Sequence, residues 1–207
     1  MTEQKEHLQA LTDIRSMMER SSRCISLSGL SGVFSGVFAL IGAYLAYIKL
    51  GSYDFNYRTI GDRDIVELTI YFFEIAGTVL ISSLLVGTLL TIRNSKRKGI
   101  SVWDKSAKRL LINLAIPLVA GGLFCFVLLY HGIIGLVAPA TLIFYGLALI
   151  NASKYTFNDI RYLGLCEIVL GLLASVFIGY GLLFWAVGFG MLHIVYGAVM
   201  YFKYEKK

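Results

Sequence analysis

Leu110–Ser153, LLINLAIPLVAGGLFCFVLLYHGIIGLVAPATLIFYGLALINAS, runs for 44 positions without a charged side chain. A helix needs about 20 predominantly apolar residues to cross the hydrocarbon region of a bilayer. This stretch is therefore two membrane spans folded back at the polar turn His131-Gly132. A connection that short forces its two helices to lie antiparallel as neighbours.

The flanking sequence reads the same way. Ile25–Ile48 holds no charge in 24 positions, and Tyr162–Phe202 holds one, Glu167, in 41. The second of these folds back at Gly179-Tyr180-Gly181. The pattern predicts six transmembrane helices, Ile25–Ile48, Leu68–Ile92, Leu110–Tyr130, Ile133–Ala152, Tyr162–Ile178 and Leu182–Phe202, arranged as three hairpins. The composition agrees: 57% of the 207 residues are hydrophobic and 15% charged, with mean hydropathy +0.71. Soluble domains carry about 25% charged residues. The expected fold is an all-α polytopic membrane protein, with residues 25–207 as the membrane domain and residues 1–24 as an appendage. Leu8, Leu11, Ile14 and Met18 recur there at helical spacing among charged residues, which predicts an amphipathic helix. Such a helix lies on the membrane surface or pairs with another helix.

The basic residues set the orientation. Of the 19 Lys and Arg, 16 fall on the side of both termini and of the 93–109 and 153–161 loops. The other three lie in 49–67. By the positive-inside rule both termini are cytoplasmic. The net charge of +6 is thus accounted for by topology and by contact with anionic lipid headgroups, and nucleic acid is not an expected partner. The first apolar stretch begins behind a charged tail and lacks a cleavage motif, so it is expected to persist as an anchor.

Polar groups inside spans are the first place to look for function. Glu167 lies 13 residues before Tyr180 and His193 lies 13 after it. Two antiparallel helices leaving that turn place both at one depth, about 20 Å from it at 1.5 Å per residue. They form a candidate carboxylate–imidazole pair, with two readings: a structural link, or a site that takes up protons or a cation. Asn113 and Asn151 each lie 19 residues from Gly132 and are candidates for an interhelical amide hydrogen bond. Glu74 lies inside the second span and shares a helical face with Asp64, Glu67 and Tyr71. That face is either an acidic entry path or a capping box at the helix start. In the first span, Gly32 and Gly36 form a small-xxx-small pair for close helix packing, within the chain or across a homo-oligomer.

Enzyme chemistry finds little support. Gly29-Leu30-Ser31-Gly32 matches the short GxSG pattern of rhomboid proteases, but the serine sits on the first span without the Trp-Arg loop pair. Cys24, Cys125 and Cys166 form no CxxC pair and read as apolar packing residues. No HExxH, P-loop or metal-ligand cluster occurs, so neither cofactor nor metal is expected.

Three stretches carry a resemblance: Met17–Val33 with Ser28-Gly29-Leu30-Ser31-Gly32, Tyr145–Thr156, and Gly179–Tyr204 with Gly188-Phe189-Gly190-Met191-Leu192-His193. Together they resemble a family of uncharacterised integral membrane proteins of Bacteroidota, which implies a bacterial inner membrane and brings no assigned activity. Gly164-Leu165-Cys166-Glu167-Ile168-Val169-Leu170-Gly171 and the hairpin after it are similar to the repeats of short six-span acid-resistance membrane proteins. That similarity implies a role in envelope stress. The expectation is a non-enzymatic membrane protein that works through contacts with lipids and a membrane protein partner or a second copy. The alternative is a small proton- or cation-coupled transporter or channel using Glu167 and His193.

Overall fold

In the computed structural model, residues 28–51, 62–99 and 105–206 are described, together with Gln9 and Trp103. The amphipathic helix expected within residues 1–24, apart from Gln9, the connection at 52–61 and the side chain of Asp64 lie outside the described residues.

The apolar runs form helices and the described residues include no strand. They are α1 (Gly29–Gly51), α2 (Asp62–Lys98), α3 (Lys105–Tyr130), α4 (Val137–Ala152) and α5 (Asp159–Val176). The last helix, α6, begins as Gly181–Trp185, passes through a π-helical stretch Ala186–Leu192 and resumes as His193–Tyr204. Five helical stretches are long and apolar enough to cross a membrane. The remaining one, α5, has 18 residues and carries Asp159, Arg161 and Glu167. Gly132, at φ 70°, makes the turn between α3 and α4, a conformation glycine adopts without penalty.

Helices in lipid gain little from hydrophobicity, so their association depends on close backbone approach. Two seams achieve it. Along α4 and α5, a Cβ placed on Gly164 would stand 2.7 Å from the Gly146 carbonyl oxygen and 3.1 Å from Ile150 N. One placed on Gly171 would stand 2.9 Å from Pro139 O and 3.0 Å from Ile143 N. Along α1 and α6 the same contacts recur: Gly29 lies on Gly197, and a Cβ on Gly36 would stand 2.6 Å from Gly190 O and 3.0 Å from Ile194 N. The spacing is seven residues on every helix: 164/171 and 139/146 in one seam, 29/36 and 190/197 in the other. Numbers rise on one helix as they fall on the other, so both seams are antiparallel. Gly32 and Gly36 therefore pack within the chain, against α6, and that face of α1 is already covered.

The other two helices are peripheral. α3 lies against α4, with Gly121 over Phe144. α2 lies against α1, where Gly42 meets Val79 and Ile75. α2 also reaches α3 at one end, where Phe73 and Phe126 stack with ring centroids 5.9 Å apart. The most apolar 18 residues of α2 include no buried residue.

Polar contacts pin the helix ends. Glu205, beyond the end of α6, caps α1: its Oε1 accepts from Gly29 N–H and its Oε2 accepts from Ser28 Oγ at 3.2 Å. A carboxylate suits that position because the first backbone N–H groups of a helix lack partners. Lys203 Nζ and the Tyr204 hydroxyl both donate to Asp159 Oδ2, at 2.7 and 2.9 Å, tying α6 to the start of α5. Between α3 and α4, Asn151 Nδ2 donates to the backbone carbonyl of Asn113 at 3.0 Å. Pro117 lies four residues after Asn113 and has no N–H, so that carbonyl lacks its intrahelical donor. The Asn151 amide supplies it, as neighbouring helices commonly do for proline in membrane helices.

Candidate functional site

The two seams meet at a polar cluster drawn from three helices. Glu167 comes from α5 and is fully buried, at 0% exposure. His193 comes from the start of the final segment of α6 and is also buried. Tyr145 comes from α4, one residue before the seam position Gly146. The Tyr145 hydroxyl lies 2.8 Å from His193 Nε2, and His193 Nδ1 lies 3.0 Å from Gly188 O. A carbonyl only accepts, so Nδ1 carries the hydrogen and, in the neutral ring, Nε2 accepts from Tyr145.

Glu167 completes the arrangement at longer range. Its Oε1 is 3.5 Å from His193 Nδ1, while both its oxygens lack a hydrogen-bond partner. Its Oε2 occupies the space beside Gly188 where a Cβ would stand, with the buried Leu142 on the same side. Gly188 is thus the residue that leaves room for the carboxyl group. The π-helical stretch that contains it carries an extra residue per turn and rotates the helix beyond it, a device common at functional sites. Phe189 packs at a tilt between Tyr145 and Trp185, at 4.9 and 5.0 Å between ring centroids, and walls the cluster on one side.

The structure therefore brings Glu167 and His193 together and leaves Glu74 apart. Glu74 is exposed on α2. Glu67, which shares its face, forms an ion pair with Lys49 at 3.0 Å, and Lys49 also lies 5.3 Å from the Tyr71 ring centre. Asn113 and Asn151 meet between α3 and α4, through the Asn113 backbone and not its side chain. The Asn113 side chain turns back to Arg109 O at 2.8 Å. Two members of the cluster escaped the sequence reading: Tyr145 and Gly188. Tyr145 had a signal, since it lies 13 residues after Gly132, as His193 lies 13 after Tyr180. Gly188 had none, because a π-helical stretch has no clear pattern in apolar sequence.

Among the described residues no group of three or more His, Cys, Asp or Glu could hold a metal ion. No family model, curated protein or solved structure matches the chain. What the fold and site define is a class: an all-α protein with several membrane-length helices and an enclosed acid–imidazole–phenol cluster.

Proposed function

We propose that this is a non-enzymatic, six-span protein of the bacterial inner membrane, built as three hairpins with both termini cytoplasmic, that acts by binding a second membrane-embedded protein. The observation that carries the reading is the state of α2. It packs on α1 along one face, and Glu74 is exposed on another. Glu74 lies seven residues, about 10 Å, along the helix from the Lys49–Glu67 pair. An uncovered carboxylate at such a depth is costly in lipid and marks a surface that a polar partner relieves. Glu74, Thr78, Ile81, Leu85 and Thr88 are all exposed and follow spacings of four, three, four and three, a single stripe suited to helix-on-helix contact. The bacterial inner membrane and a role in envelope stress rest on the resemblances alone.

The test is photo-crosslinking in native membranes from positions 78, 81, 85 and 88 of the full chain. A protein adduct of one recurring mass at these positions, absent from Tyr162 on α5, is the expected result. Lipid adducts alone at every position would end the proposal. The enclosed carboxylate lends the alternative its support: a small proton- or cation-coupled transporter using Glu167 and His193, which requires proteoliposome flux that Glu167→Gln abolishes.

A further inference from the structure

The two seams supply their own internal control. Matching Gly164/Gly171 of α5 to Gly29/Gly36 of α1 aligns Glu167 with Gly32. Matching Pro139/Gly146 of α4 to Gly190/Gly197 of α6 aligns His193 with Leu142. The same backbone crossing is thus built once with glycine where the other has the acid, and once with leucine where the other has the imidazole. In the α1/α6 seam a Cβ on Gly32 would sit 3.4 Å from His193 O and 3.1 Å from Gly197 Cα, a tight fit that favours glycine there. Crossing geometry therefore requires neither Glu167 nor His193, and their presence calls for another reason.

We infer that Glu167, His193 and Tyr145 form an intramembrane proton-binding site, in which one proton is held on the Glu167 carboxyl group beside the His193 ring and Tyr145 fixes the ring. The charge balance is direct. With the imidazole neutral and Glu167 ionised, the cluster carries one negative charge on a carboxylate whose two oxygens have no donor. One added proton on the Glu167 carboxyl group makes it neutral, leaving an acid beside a neutral imidazole whose hydrogen stays on Nδ1. Enclosed charges persist only when neutralised or paired, so the proton completes the site.

A proton is the ligand that needs no added volume at a fully buried carboxyl group, whose Oε2 already fills the space beside Gly188 next to Leu142. The groups facing the cluster are few. α4 contributes Tyr145; α6 contributes His193 and, one turn on, Tyr196, whose buried hydroxyl also lacks a partner. Tyr145 and Tyr196 both pack against the Leu149–Ile160–Leu163 cluster. On α5 itself the next acid is Asp159, held by Lys203 and Tyr204. The facing stretch of α1, Gly29–Gly36, carries no ionisable side chain. Binding of the proton is inferred whether or not protons cross the membrane, so this site and the α2 surface are tested separately.

Difference infrared spectroscopy on the full chain in lipid nanodiscs reads the site directly. The expected result is a carboxylic-acid C=O band that downshifts in heavy water, is lost in Glu167→Gln and moves in frequency in Tyr145→Phe. Where Glu167→Gln does not fold, isotope-labelled glutamate in the wild-type chain makes the same assignment. The inference is overturned if no glutamate acid band is present at any pH at which the chain stays folded. It is equally overturned if sodium alone, at constant pH, removes the band, since the site would then take a cation.

Discussion

Replacing Gly164 by alanine tests the seam that positions the cluster. The added Cβ would stand 2.7 Å from Gly146 O, 2.9 Å from Ile150 Cγ1 and 3.1 Å from Ile150 N, where ordinary contact begins at 3.4 Å. Two of those three atoms are backbone, so relief comes only by moving α4 and α5 apart by about 0.5 Å, which weakens dispersion along the seam. Overpacking of this kind costs about 1–3 kcal/mol. Alanine recovers up to about 1 kcal/mol of helix propensity over glycine. The expected net loss is about 1–2 kcal/mol, read as the change in unfolding free energy in mixed micelles titrated with a denaturing detergent. Gly36→Ala occupies a corresponding environment, 2.6 Å from Gly190 O, and is expected to lose a similar amount. Gly122→Ala is the control: no atom lies within 4 Å of its added Cβ, so stability is unchanged or slightly higher. If Gly164→Ala and Gly122→Ala behave alike, the close backbone approach of α4 and α5 is refuted.

Asn151→Ala orphans the Asn113 carbonyl and is expected to cost about 1–2 kcal/mol in the same assay. In a Pro117→Ala background residue 117 regains an N–H for that carbonyl, so the Asn151→Ala loss shrinks; equal losses in both backgrounds would refute the assignment. Leu142→Ala removes a side chain with 0% exposure beside Glu167 and is expected to destabilise by about 2–5 kcal/mol, and full stability would show the site to be loosely packed. The Asp159 carboxyl is held below its ordinary range chiefly by the hydrogen bond from Lys203, with Tyr204 adding to it against opposing burial. Its folded pKa is the lower one, so the stability it contributes is full above its unfolded value and is lost as pH falls through the folded value. Asp159→Asn is therefore expected to flatten the acid side of the stability–pH profile, and an unaltered acid limb would count against the contact.

The sequence by itself determined the class and the depth scale. Uncharged runs longer than a bilayer is thick have one stable solution, the membrane helix, because unpaired backbone polar groups are too costly in lipid. Counting at 1.5 Å per residue from a tight turn then gives depth, which is why Glu167 and His193, and Asn113 and Asn151, could be matched without a structure. What counting along an axis leaves out is rotation about it. Lipid-facing and helix-facing residues are both apolar here, so periodicity does not say which face of α1 turns to α6 or that α2 stands at the edge. Only the tertiary structure decided that the first and last helices close on each other as α4 and α5 do. It decided, too, that Pro117 frees the carbonyl Asn151 needs, and that a π-helical stretch leaves room for a carboxyl group at Gly188. Those outcomes depend on contacts between residues far apart in the chain, whose energies exist only once the helices meet.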